Sequence, residues 1–330
     1  MPAFVTRPLR LLKPLPQWSA IALHPPQALV QVKLRTARGD FDVTHNNVVA
    51  ALRPLTIAIG MGGMGGMDGR LSLALQDAAP CELYFVDARD GGTLGVLGLE
   101  RQPDWTTDGI RLALFGVTSG THRCLGWPHR PWNRWLQDRV VRAGAKPGNF
   151  ALGPAATQQI MIFYICPRPV VLVSVDTGSH SNLFPMDLIG PVGSDRFSLA
   201  LRSTSASVEP MKAVRRVAIS DVPAGQHKTA YSLGAHHKNA QVDWESLPFR
   251  LERSAGFSLP VPEWALRVRE LEILDVRTVG SHTLFMAYAR SDTVIREGAQ
   301  FFHTSGIHEH FRRNRGQALP QAMEPTHRHD

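Results

Sequence analysis

Three groups of residues in this sequence have the types and spacing for chemistry. Arg202, Ser203, Thr204, Ser205 and Ser207 set a cation and four hydroxyls within six residues. Such a cluster can hold a phosphate, since charged and hydroxyl donors both bond its oxygens. Read alone, "RSTSAS" is a solvated polar loop. The stretch "SNLFPM" sets the amide of Asn182 beside the apolar Phe184, Pro185 and Met186. Two histidines are candidate catalytic residues, His282 in Gly280-Ser281-His282 and His303 in "FFHTSG". A lone histidine in a hairpin reads first as a surface or hydrogen-bonded group. Other groups exclude chemistry. Cys81, Cys124 and Cys166 form no CxxC pair, so neither a disulfide framework nor zinc is indicated. "MGGMGGMDG" spaces methionines by three, a pattern that invites a thioether-ligand reading. Its five glycines cannot hold a helix, and no His or Cys accompanies them, so it reads as a flexible hairpin loop. The "HEH" at 308–310 does not assemble with the cysteines into a metal site.

The elements that position these residues are short and mostly β. Val170–Val173 is an unbroken apolar run after Pro169, which predicts a buried strand, and Asp176-Thr177-Gly178 predicts a turn with a positive φ. A polar segment then leads into "LFPM" where a second apolar strand would be expected. "RFSLALRST" reads as a strand, "SVEPMKAVRRVAISDV" as a short helix and a strand, and "PAATQQIMIFYI" as an amphipathic helix. "HKTAYSLGAHH" is helical or irregular, and 265–292 is a long β-hairpin. In the first half, 28–43 alternates around a turn at Arg38-Gly39-Asp40. "RPLTIAIG", "LSLALQDA", "CELYFVDA", "GTLGVLGLE" and "GIRLALFGV" follow as further strands.

Length and composition bound the function. With 330 residues, 24 Pro and 28 Gly, two β-rich domains are expected. The four prolines among residues 1–18 break any apolar leader, and the run 160–166 is too short to span a bilayer, so the expectation is a soluble cytoplasmic protein. The net charge of +8 is concentrated at 123–146, with six basic residues and one acid. Without a zinc finger, RNP strand or helix-turn-helix, this argues for an anion-binding patch or a solvated face, against a nucleic-acid partner. Trp132 and Trp135 fall at i, i+3 on a helix opening near Pro131, which predicts a buried Trp face cementing the two domains.

From about 155 to 313 the chain resembles the flavin reductase-like family, whose fold is the FMN-binding split barrel. Arg168-Pro169 entering a Val-rich strand, Asn182 with "FPM", "FSLALRSTSAS", Gly280-Ser281-His282 before "TLFMAYA" and "FFHTSGIHEHFR" carry the resemblance, in family order. It implies FMN as cofactor, FAD being the alternative, with NAD(P)H as co-substrate. The implied cofactor-binding residues are Ser174, Val175, Asp176, Asn182, Phe184, Pro185, Met186, Arg202, Ser203, Thr204, Ser205 and Ser207. His282 and His303 would lie by the chemistry; Ser281 stands where the family's reductases carry Asp, which places nicotinamide binding in question. An isoalloxazine ring needs a dry, flat slot, and flavin reduction itself needs no protein acid or base.

The expected organisation is an irregular arm (1–27), a β-rich domain (28–122), a Trp/Arg-rich connection (123–154), the split-barrel domain (155–316) and a disordered polar tail (317–330). "RPLTIAI", "LSLAL" and Gly120-Thr121-His122 echo "RPVVLVS", "FSLAL" and Gly280-Ser281-His282 in the same order, as a degenerate second split barrel would. The fold class is therefore mainly β with a few short helices. The function read from all this is an FMN-binding oxidoreductase moving hydride between NAD(P)H and flavin, with an oxygenase or other electron acceptor as partner. Homodimerisation is the default, and an intramolecular pseudo-dimer is the outcome if the halves are a true repeat. The alternatives are a non-catalytic flavin-binding or structural protein and, more weakly, a polyanion binder acting through 123–146.

Overall fold

The structure, a computed structural model, describes residues 13–26, 28–61, 67–75, 80–107, 110–127, 129–142, 152–239 and 241–323. The Gly-Met loop at 62–66, and the basic stretch beyond Arg142, lie outside them. The chain opens with β1 (Ser19–Leu23) and then builds a first sheet from seven strands. These are β2 (Val30–Thr36), β3 (Gly39–Asp42), β4 (Asn47–Leu52), β5 (Leu55–Gly60), β6 (Cys81–Asp87), β7 (Thr93–Thr107) and β8 (Ile110–His122). Helix α1 (Met67–Ala74) lies between β5 and β6, and α2 (His129–Arg142) and α3 (Pro154–Phe163) follow β8.

The second half runs β9 (Arg168–Pro169), β10 (Val171–Asp176), β11 (Ser181–Met186), β12 (Ile189–Pro191) and β13 (Arg196–Arg202). After α4 (Val208–Val214) come β14 (Arg216–Asp221), α5 (His227–Ser232), β15 (Leu251–Arg253) and β16 (Pro260–Pro262). The chain closes with β17 (Arg267–Val279), β18 (His282–Val294), β19 (Gln300–Thr304) and α6 (Gly306–Asn314). The fold is mainly β, as expected.

Both seven-stranded sheets have one topology. The first is ordered β3-β2-β6-β7-β8-β5-β4 and the second β11-β10-β14-β17-β18-β13-β12. Numbered within each sheet, both read 2-1-5-6-7-4-3, with a helix between strands 4 and 5 and every neighbouring pair antiparallel. The halves thus repeat, but not through the sequence echoes named above. "RPLTIAI" falls on the fourth strand of its sheet and "RPVVLVS" on the first. "LSLAL" is helix α1 where "FSLAL" is β13, and Gly120-Thr121-His122 ends β8 where the second motif turns into β18. Short apolar strands resemble one another whatever their place in a fold, so order alone did not align them.

Each sheet wraps its own core, and a third cluster joins them. α3 packs on the first core, through Ile160, Met161, Ile162 and Phe163. The second core gathers Val173, Phe184, Leu199, Ile219 and Phe285. Between the sheets lie Ala58, Trp105 and Leu114 of the first with Ala200, Leu284 and Met286 of the second. The backbones approach closely there. A Cβ at Gly60 would overlap the Val192 carbonyl, and one at Gly280, which also sits at φ 50°, would overlap the Arg53 carbonyl. The Trp105 indole N–H donates to Asp275 Oδ2 at 3.0 Å across the same junction.

Several expectations are corrected. Leu71–Ala74 is helical, and Leu71 and Leu75 are both buried, as i, i+4 residues on a helix are. Alternating Leu-Ser-Leu-Ala-Leu satisfies either period, and here the helical one prevails. The N-terminal arm is not wholly irregular, because β1 pairs with β19. The tail is ordered as far as Met323: Leu319 is buried, and Ala22 and Ala322 bond to Pro320 and Ala20. Trp132 and Trp135 stack on each other at 4.9 Å and are 47% and 45% exposed, so they do not form the buried face expected. The residues of α2 that turn inward are Asn133, which accepts from the Leu15 amide at 3.0 Å, and Gln137, which donates to the Leu15 carbonyl. Among the described residues no helix is long and apolar enough to cross a membrane.

Candidate functional site

"SNLFPM" is a strand after all. β11 returns antiparallel to β10 through a hairpin whose Gly178 has φ 81°, and Pro185 stands opposite Leu172. β11 is an edge strand, which is why a residue without an N–H is tolerated there. Phe184, Pro185 and Met186 thereby form one wall of a cleft of about 350 Å3. That volume is in the range of small-molecule sites, about 300–1,000 Å3. β13 adds Leu201 and Arg202, the following turn adds Ser205, and β18 and β19 add His282 and His303. The first half of the chain supplies Trp18, Leu52 and Leu152.

Arg202 and His282 stand directly opposite each other in the β13–β18 register. Burial works against the charge on Arg202, so an anion in the cleft would be a favourable neighbour. The His282 imidazole is pushed down to about 4, first by burial and then by the Arg202 charge, so it is neutral at pH 7. Its Nδ1 faces the Leu52 amide at 3.4 Å and the Ser281 hydroxyl at 2.9 Å. An amide N–H can only donate, so Nδ1 accepts and the ring proton sits on Nε2. The neutral ring therefore carries its one N–H at Nε2.

The second titratable group of the cleft is a chain. His303 Nδ1 lies 2.7 Å from Asp187 Oδ2, and His303 Nε2 lies 2.9 Å from the Tyr231 hydroxyl. Tyr164, at the end of α3, also hydrogen-bonds Asp187. Burial raises the Asp187 carboxyl, but the bonds from His303 and Tyr164 outweigh it and leave it below the usual carboxylate range. The His303 ring lies near-parallel to Trp18, 6.0 Å away, and to Tyr231, 5.6 Å away. Burial, then the Asp187 charge, pushes the Tyr231 phenol up to about 12.

Of the cofactor-binding residues expected from the sequence, Phe184, Pro185, Met186, Arg202 and Ser205 line this cleft together, and the two candidate histidines join them. The others do not. Ser174 and Val175 are fully buried inside the sheet. Asp176 closes the hairpin, accepting from the Gly178 amide and the Ser181 hydroxyl at 2.9 Å each. The Asn182 amide donates to Ser207 Oγ at 3.0 Å and to the carbonyls of His236 and Asn239. Asn182 and Ser207 thus fasten β11 to the 205–208 turn and to the 233–238 helix turn; they shape the wall from behind. Ser203 and Thr204 are exposed, the Ser203 hydroxyl accepting from Thr283.

Residues 163–301 match the family model described as flavin reductase like domain. This segment is a flavin reductase like domain. Among solved structures the chain is similar to an FMN-binding protein from Thermus thermophilus with bound p-hydroxybenzaldehyde, at 23% identity over 46% of this chain and 78% of that one, with a TM-score of 0.37. It is also similar to a Streptomyces globisporus NADH:FAD oxidoreductase, at 20% identity over 49% of this chain and 95% of that one, TM-score 0.41. A third is the flavin reductase component of a bacterial two-component tryptophan halogenase, at 16% identity over 44% and 91%, TM-score 0.39. No curated protein matches the chain.

Several cleft residues escaped the sequence reading. Asp187 directly follows "SNLFPM", and its charge at the end of an apolar strand was the available signal. Tyr231, Tyr164 and Trp18 lie 72, 139 and 285 positions from His303 and carry no local signature. The pairing of β19 with β9 and β1 brings Tyr164 and Trp18 near His303, and α5 adds Tyr231.

Proposed function

We propose that the cleft binds FMN, and that the protein is a flavin-dependent oxidoreductase accepting hydride from NAD(P)H. The observation that carries this reading is the joining, inside the flavin reductase like domain, of an apolar wall with a half-buried cation and a neutral histidine N–H. The residues fit the group. Phe184, Pro185 and Met186 suit a flat ring, Arg202 and Ser205 suit a phosphate, and His282 Nε2 suits a polar edge of the ring. FAD is the alternative ligand. Bound flavin would supply the two-electron hydride chemistry. The protein's own residues bind, orient and exclude water: the β11 wall keeps one side dry, and Leu52 holds His282 in a single tautomer.

Absorption and fluorescence titration test this reading. FMN should be quenched or shifted on binding, and Arg202→Met should weaken it about 10-fold or more, since a hydrogen bond to a charged group is worth about 1.5–3 kcal/mol. NADH or NADPH should then bleach the visible flavin band. Absence of binding at high micromolar FMN overturns the reading. Binding without bleaching by either nucleotide would favour a flavin-binding protein without reductase activity, the reading suggested by Ser281 in place of Asp.

The assembly we propose is a monomer in place of the homodimer expected by resemblance. The first sheet already packs against the second through matching strands and contributes Leu52 to the cleft. Light scattering should give a mass near 36.4 kDa; twice that value would restore the homodimer. A cytoplasmic location and service to an oxygenase or other electron acceptor complete the proposal.

A further inference from the structure

Flavin reduction by a nicotinamide consumes no proton from a protein side chain, yet this cleft holds an ordered acid–base chain. We infer that Tyr231, backed by His303 and Asp187, is a proton donor to an organic acceptor bound in the cleft, and that this acceptor is a small apolar conjugated carbonyl compound. The inference rests on the flavin reading, because the hydride must come from reduced flavin.

The geometry supports each role. Tyr231 is 45% exposed and lines the cleft, so its hydroxyl can meet a ligand, while His303 behind it is 8% exposed. Tyr231 Oη, His303 and Asp187 are linked at 2.9 and 2.7 Å, within range for direct proton transfer. The groups facing His303 from the packed elements are Asp187, Tyr164, Tyr231 and Arg168, its partner in the β19–β9 register. Arg168 donates to the Asn47 carbonyl at 3.0 Å and lies over Phe163, and its charge also acts on Asp187 and Tyr164. Asp187 bonds His303 Nδ1 and so orients the ring. The His303 plane lies near-parallel to those of Trp18 and Tyr231. Beside it, Leu52, Leu152 and Ile160 extend the apolar lining on the first-half side, which suits an apolar acceptor.

The step balances as follows. Bound flavin would supply the hydride. As a C–H bond forms at the β-carbon, the C=C π pair shifts into the bond to the carbonyl carbon and the C=O π pair moves onto the oxygen. That oxygen takes the Tyr231 proton, and Tyr231 regains a proton from solvent by way of His303. The enol formed tautomerises to the saturated carbonyl compound.

trans-Cinnamaldehyde serves as the reactive probe and acetophenone as the unreactive one, both with FMN-loaded protein. Wild type should reduce cinnamaldehyde, and Tyr231→Phe should lower kcat about 100-fold or more, the usual scale for a positioned proton donor. Acetophenone should perturb the oxidised flavin spectrum with a dissociation constant that rises several-fold in Tyr231→Phe. Asp187→Asn should lower kcat for cinnamaldehyde by a larger factor than it raises KM, because Asp187 acts on the transferred proton through His303. The same variant should abolish the downfield proton resonance of the Nδ1–H bonded to the carboxylate. Cinnamaldehyde turnover unaffected by Tyr231→Phe, or no turnover and no acetophenone binding by protein that binds FMN, overturns the inference. Failure of wild type to bind FMN overturns the flavin reading instead, which separates the two.

Discussion

Replacing Arg312 by Met should cost this protein several kcal/mol although Arg312 does not line the cleft. Arg312, on α6, is 1% exposed, and its guanidinium lies 3.1 Å from the Asp87 carboxylate, itself 2% exposed at the end of β6. The pair ties the last helix of the chain to the first sheet. Removing one member leaves the other charge buried without its counter-ion, which typically costs about 3–5 kcal/mol. With an unfolding entropy of roughly 2.1 cal/mol/K per residue, a chain this long loses on the order of 4–7 °C in Tm for that cost. The pair is not ideal, since Arg312 Nε has no hydrogen-bond partner. The double variant Asp87→Asn with Arg312→Met should therefore recover much of the loss, because neither charge is then stranded. Urea unfolding and thermal melts of the two single variants and the double variant decide. If Arg312→Met costs less than about 1 kcal/mol, or if the double variant is as unstable as the two single losses added, the ion pair does not lock α6 to the first sheet.

Three further outcomes follow from the same packing. Gly60→Ala should destabilise by roughly 1–3 kcal/mol, because its Cβ meets the Val192 backbone where the two sheets join, and unchanged urea midpoints would refute that closeness. Trp105→Phe should cost about 0.5–1.5 kcal/mol by removing the bond to the half-buried Asp275; a double-mutant cycle with Asp275→Ala that shows no coupling would contradict it. Acid should destabilise the fold well before carboxylates protonate. Burial pushes His122 and His282 down to about 4 and His308 to about 3, so they stay neutral when native. The unfolded chain protonates them near pH 6.5, so stability is lost as pH falls from about 6.5 towards 4, by up to roughly 1.4 kcal/mol per pH unit for each histidine. Equal stabilities at pH 7 and pH 5 would show that these rings are not held neutral.

What could be read from the sequence was whatever the chain encodes locally. The 265–292 hairpin, the β10 run, the Gly178 turn and the α3 helix all show their period or turn chemistry within a dozen residues, and each forms. So does the second-half cleft wall, because "FPM" and "RSTSAS" carry apolar and cationic character in short stretches. Asn182 and Ser207 stand behind the wall, and the sequence could not show it: a buried amide with three bonds to the surrounding chain looks, in sequence, like a polar anchor for a ligand. The Asp187–His303–Tyr231 chain was invisible because its members meet only through sheet order.

The shared topology also explains why one chain with two similar sheets offers this cleft in its second half. The junction between the sheets is centred on matching pairs, Ala58 opposite Leu114 in the first and Ala200 opposite Leu284 in the second. Two residues further along the same strands, the second sheet sets Arg202 against His282, and the first sets Gly60 against Leu112. A cation and an imidazole in one sheet thus stand where the other has no side chain and an aliphatic one. Gly60 is what the junction demands, because the Val192 backbone fills the space a side chain would take. At the other end of the β4–β5 hairpin, Gly280 meets the Arg53 carbonyl and the Ser281 amide donates to it, which brings the neighbouring Leu52 amide close enough to bond His282. A side chain at position 280 would press on that carbonyl, and His282 would lose the donor that fixes its tautomer. The bare backbone at Gly280 and the ordering of His282 are therefore two consequences of the same close packing.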